Sequence, residues 1–155
     1  MGWSFELSIE FGGDANASGL AQRHFNDQPV VLDDGNDALF KADCATIDEY
    51  ERWWLSVVVL IKGKPLQASD NAAMLTMASR KLYERLKLFS GYRFAIVGIE
   101  TFQFNSLESL PKLLGNPALA GLVVSKEVYQ SIGLPAGFQP FSNGYLWLPS
   151  DGSFR

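Results

Sequence analysis

The sequence predicts an α+β fold: one globular domain over residues 1–155, with a mixed, largely antiparallel sheet packed against one long helix and several short helices. Three observations carry that expectation. Residues 3–11 alternate apolar and polar side chains without a break, which is the two-residue period of a strand. Residues 70–89 place Leu75, Ala78, Leu82, Leu86 and Phe89 on one stripe, with Arg80, Glu84 and Lys87 opposite, the pattern of an amphipathic helix. Elsewhere, short β-branched and aromatic runs are separated by Gly, Pro, Asn and Asp, the residues that make turns.

In the first strand, Trp3, Phe5, Leu7, Ile9 and Phe11 share one face, and Ser4, Glu6, Ser8 and Glu10 share the other. One buried and one wet face predict antiparallel pairing. Gly12 and Gly13 end this strand, and a polar stretch leads to a short helix over 20–25. Residues 29–32 and 38–42 read as two short strands around the turn Asp33-Asp34-Gly35-Asn36. Thr46, with Glu49 three residues later, reads as the capping pair of a helical turn over 47–53. The apolar run over 55–62 has the character of a central strand buried on both faces.

The long helix is expected to open at Ser69 or Asp70 and to stop before Ser90 and Gly91. Residues 93–104 then resume as a strand centred on Ala95, Ile96 and Val97. Strand, helix and strand in succession suggest a crossover, right-handed if the two strands are parallel. A short helix near 106–114, a brief strand at 122–124, a helix over 125–132 and a final strand over 145–148 complete the reading.

Composition narrows the chemistry. Apolar residues make up 47% of the 155 and charged residues 19%, the balance of a chain with a packed core. No apolar run approaches the ~20 residues of a membrane span, and Met-Gly-Trp-Ser opens no basic-then-apolar leader, so a cytoplasmic location is expected. Cys44 is the only cysteine and His24 the only histidine. That excludes an internal disulfide, a Cys/His zinc centre and a multi-histidine metal site. The two would act as nucleophile and base only within hydrogen-bond reach of each other; a lone cysteine beside a strand reads more simply as a small buried residue.

Other motifs fail on spacing. The Asp33-to-Asp37 stretch lacks the alternating ligands of an EF-hand loop. The Gly12, Gly13 and Gly19 loop lacks a phosphate-cradle pattern and carries Asp14 where an anion needs positive potential. There is no Gly-x-Ser-x-Gly elbow. A carboxylate pair could cleave glycosides without histidine, but nothing selects a pair among the 17 acidic residues. No catalytic residue, cofactor or metal ligand is assigned.

Charge sorting gives the functional expectation. Residues 1–51 hold eleven acidic side chains against two basic, and residues 52–93 hold eight basic against two acidic. An acidic surface attracts cationic partners and speeds their encounter. The expected activity is therefore that of a non-enzymatic cytoplasmic protein-binding domain, in its most concrete form an immunity- or antitoxin-like inhibitor of a cationic protein. Its expected contacts are Asp33, Asp34, Asp37, Asp48, Glu49 and Glu51, with Trp53 and Trp54 beside them. Adjacent tryptophans on a strand cannot both face inward, which frees one as an interface anchor, whereas on a helix the pair diverges by one step and both can be partly buried. The pI of about 4.9 opposes nucleic-acid binding, and no membrane partner is expected. Two alternatives stay open: a small enzyme or ligand-binding domain with a carboxylate and aromatic pocket, and a homo-oligomeric structural protein. The acidic reading requires carboxylates that stay uncompensated by Arg80, Lys81, Arg85 and Lys87 after folding.

Overall fold

The computed structural model describes residues 4–47, 52–99, 107, 110, 120–134 and 136–149. In chain order the elements are β1 (Phe5–Gly12), α1 (Ala15–Phe25), β2 (Gln28–Val31), β3 (Asp37–Ile47), β4 (Arg52–Ile61), β5 (Lys64–Pro65), α2 (Ala72–Leu86), β6 (Phe94–Ile99), β7 (Val123–Ser125), α3 (Lys126–Ser131), β8 (Gln139–Ser142) and β9 (Tyr145–Trp147). The nine strands form one sheet in the order β2-β3-β4-β1-β6-β7-β9-β8, with β5 also paired to β4. Every ladder between these strands is antiparallel.

This corrects the expected fold class. The sheet is not mixed, and it dominates the chain; the described helices number three, two of them longer than seven residues. Cover on the first face is shared by α1 and α2 instead of coming from one twenty-residue helix. The ends of α2 show why the stripe over 70–89 overstated it. The Asp70 carboxylate accepts from the Gln67 amide at 2.7 Å and so builds the preceding turn, leaving Asn71 to cap the helix by accepting from the Ala73 amide at 2.8 Å. At the far end the Leu88 and Phe89 amides reach back only three residues, to the Arg85 and Leu86 carbonyls, the tightening that closes a helix.

Other expectations also change. In place of a helical turn over 47–53, β3 runs to Ile47 and β4 begins at Arg52, with Thr46 opposite Trp53. Cross-strand pairing of β-branched and aromatic residues outweighs the local capping signal. Residues 48–51 and most of the expected helix at 106–114 lie outside the described residues. The crossover exists in a wider form. Both β4 and β6 run antiparallel to β1, which lies between them, so the connection through α2 links parallel strands that are not adjacent.

Both faces of the sheet carry a core. On the first, Phe5, Leu7, Ile9 and Phe11 join Phe40, Leu55, Val57 and Val97 beneath Ala21 and Phe25 of α1 and Leu75, Leu82 and Leu86 of α2. On the second, Trp54, Phe94 and Ile96 pack with Leu110, Leu122, Val124, Val128 and Leu134. The strand face expected to stay wet is buried: Glu6, Ser8 and Glu10 are 7%, 2% and 0% exposed.

Specific partners make that burial tolerable. Arg93 grips Glu10 through both Nε, at 2.7 Å from Oε1, and Nη2, on Oε2, a bidentate pair that offsets the loss of water. The Gly12 amide also donates to Glu10 Oε1. Glu6 accepts from the Ser8 hydroxyl at 3.2 Å and the Ser56 hydroxyl at 2.6 Å. Gly12 is required here, because its φ is +62° and a Cβ would stand 2.9 Å from Arg93 Nε. The outermost strands, β2 and β8, contain Pro29 and Pro140; a residue without an N–H blunts a sheet edge against further pairing.

These contacts set an order of stabilities. Arg93→Ala leaves a fully buried carboxylate without its cation and should cost about 3 kcal/mol or more. Gly12→Ala should cost about 1–2 kcal/mol from the left-handed backbone alone. Glu10→Gln removes the buried charge and leaves Arg93, whose side chain is 36% exposed, free to hydrate, so it should cost less than Arg93→Ala. Urea-unfolding midpoints check this; equal losses for Glu10→Gln and Arg93→Ala contradict it.

Candidate functional site

Residues directly opposite in an antiparallel ladder share a face, so the register maps the second face row by row. Pro29, Leu39, Leu60 and Pro65 form one row across β2, β3, β4 and β5. Val31 with Asp37 lies on one side of it, and Lys41 with Val58 on the other. The next row is Asp43, Ser56, Ser8 and Ile96, followed by Ala45, Trp54, Glu10 and Phe94. Over β6 and β7 this face is closed by the second core. Over β2 to β5 no core cluster of the described residues covers it: Val31 is 57% exposed, Pro29 and Pro65 are exposed, and Leu39, Val58 and Leu60 are half-buried. None of these six belongs to either core. The result is an apolar patch on a sheet face.

Most carboxylates of the acidic segment have structural work. Glu6 and Glu10 are buried; Asp14 caps α1, accepting from the Ala17 amide at 2.9 Å. Asp27 pairs with Lys41. Asp33 stands 3.8 Å from Arg80 Nη1 and 3.7 Å from Lys81 Nζ, so the basic helix compensates it. Asp34 shapes its turn by accepting from the Asn36 amide at 3.0 Å and side chain at 2.7 Å. Asp37 and Asp43 differ: they are exposed, their carboxylates meet no partner among the described residues, and both flank the patch. Asp48, Glu49 and Glu51 lie outside the described residues.

The tryptophans separate as strand geometry demands, but both find cover. Trp53 is half-buried against the first core. Trp54 is 4% exposed and meets Phe94 edge-on at 5.5 Å on the second face, beyond the patch. Neither stands out as an exposed anchor. Sequence reasoning missed the patch itself, because Val58 and Leu60 belong to a run read as buried on both faces. Its one local signal is the alternation of Asp37, Leu39, Lys41 and Asp43 along β3.

The chemically reactive groups are bonded to backbone. Cys44 donates its thiol to the Ser18 carbonyl at 3.2 Å, and burial raises its pKa. His24 Nε2 lies 3.0 Å from the Arg85 carbonyl, and Arg85 returns Nε and Nη2 to the His24 carbonyl at 3.2 and 2.8 Å. This reciprocal clamp joins the last turns of α1 and α2, and the His24 ring sits 5.0 Å from Phe25 and 5.3 Å from Phe89. Burial, aided by the Arg85 charge, lowers the His24 pKa. A cleft of about 200 Å³ lies where Val30 and Phe40 of β2 and β3 meet Lys81, Glu84, Arg85 and Leu88, below the ~300 Å³ at which ligand pockets usually begin. Among the described residues, no three His, Cys, Asp or Glu side chains gather to hold a metal, and no helix is long and apolar enough to cross a membrane.

No protein-family model, curated protein or solved structure matches this chain.

The clamp gives a pH dependence of known sign. The fold holds His24 below its ordinary value of 6.5, so the unfolded chain takes up the proton first. The stabilisation is therefore complete above pH 6.5 and lost as the pH falls through the folded value. Melting midpoints at pH 7.5 and 5 should show a smaller acid loss for His24→Gln than for the wild type; identical losses contradict it.

Proposed function

We propose that this protein is a non-enzymatic protein-binding domain that receives a cationic partner on the open half of its second sheet face. The row Pro29, Leu39, Leu60 and Pro65, left outside both cores with Val31 and Val58 beside it, carries the reading. An exposed apolar patch with a polar rim is the anatomy of an interaction site. Asp37 and Asp43 give that rim its sign, drawing basic surfaces and opposing a second copy through like charge. The acidic hairpin tip contributes less than its composition suggests, since Asp33 and Asp34 are engaged within the fold.

The specific form we favour is a cytoplasmic immunity- or antitoxin-like inhibitor, in which an acid-rimmed apolar surface occupies a cationic groove built for phosphates. The net charge of −4 and the free thiol of Cys44 suit that setting.

Capture from the native cell on immobilised protein tests the proposal. The wild type should recover a basic protein whose retention falls as salt is raised. Asp37→Lys combined with Asp43→Lys should reduce recovery about tenfold, while Asp33→Lys should change it little. Recovery unaffected by the Asp37 and Asp43 pair and also by Leu39→Ser with Leu60→Ser contradicts it.

A further inference from the structure

Resting on that protein-binding reading, we infer that the element seated on the patch is a cationic amphipathic helix. Addition of a strand to β2 or β8 is disfavoured, because Pro29 and Pro140 remove an N–H from these outermost strands. The exposed apolar surface lies on the face of the sheet, where the strand backbones already bond to one another. An occupant must therefore satisfy its own backbone hydrogen bonds while presenting apolar side chains.

The dimensions favour a helix. From Pro29 to Pro65 the row crosses four strands, about 14 Å at the usual strand spacing, against a helix diameter of about 10–12 Å. Along β3, the six steps from Asp37 to Asp43 cover about 20 Å, the rise of roughly 13 helical residues. The opposite surface of the same strands provides a precedent, since α1 lies over β3 and β4 there.

Charge completes the description. Asp37 and Asp43 stand at the two ends of the apolar strip, and Lys41 between them is held by Asp27. A complementary helix carries Lys or Arg near both ends and an aliphatic stripe between them. Asp37 and Asp43 hold such a helix in place along the strand, and Leu39, Val58 and Leu60 receive its stripe. A second copy docking patch to patch does not meet that description, because its own patch is rimmed by the same carboxylates.

Three synthetic 15-residue peptides test the inference by backbone NMR of the full chain: a Leu/Lys amphipathic helix, a Leu/Glu counterpart with the same stripe, and a scrambled Leu/Lys sequence. The first should move the resonances of Val31, Leu39, Val58 and Leu60, and the other two should not. Its affinity should fall about tenfold in Asp37→Lys with Asp43→Lys and in Leu60→Ser, with the unbound spectra outside β2 to β5 serving as the folding control. Shifts centred on Leu88 or α2, equal responses to all three peptides, or no response overturn it. If the peptides fail while capture of the natural partner still depends on Asp37 and Asp43, the helix is refuted and the protein-binding reading stands. If that capture is also insensitive, both fall.

Discussion

The Glu10–Arg93 pair is the constraint on which the sheet depends. β1 is the central strand, with apolar side chains toward α1 and α2 and carboxylates toward the second core. A carboxylate that is 0% exposed is tolerated only when a charged partner replaces its water. Arg93 does this from the residue before β6, and its amide also donates to the Glu10 carbonyl at 2.8 Å. The pair thereby ties the β1–β6 register to electrostatics as well as to packing. A slip of one residue would bring the carboxylates to the aliphatic core and the apolar side chains to Arg93.

From that strand the second face divides. Toward β6 and β7 it closes with Phe94, Ile96, Val124 and Leu122. The Glu6, Ser8 and Ser56 hydrogen bonds form a polar seam, and beyond it the face opens over β2 to β5. The apolar side chains on that side belong to neither core of the described residues. Charges divide in the same manner: Glu10, Asp14, Asp27, Asp33 and Asp34 serve the fold, whereas Asp37 and Asp43 remain at the rim. Of the described carboxylates of the opening third, only Glu6 and Glu10 are buried, while Asp14, Asp27, Asp33 and Asp34 are exposed and engaged with partners within the fold.

Local patterns revealed the elements whose causes are local. The alternation in β1, the β2–β3 turn at Asp33 to Asn36 and the apolar stripe of α2 are all readable within a few residues. What the sequence concealed depends on partners far along the chain. Glu10 and Arg93 are 83 residues apart, and Glu6 and Ser56 are 50 apart, so nothing near β1 shows that its polar face is covered. Asp33 is likewise compensated by Arg80 and Lys81 from another element. The run ending in Val58 and Leu60 has the composition of a strand covered on both sides, yet among the described residues only one side of that end joins a core, since composition records apolarity and not which neighbour arrives. The patch became visible only through the cross-strand register.

Side-chain footprinting by carbene labelling, in the free protein and in the complex captured from the cell, tests the central claim most directly. The account predicts strong labelling of Val31, Leu39, Val58 and Leu60 in the free protein, lost in the complex, with Leu88 and the α2 surface unchanged. Labelling of those four that persists in the complex, or protection confined to other surfaces, would contradict it.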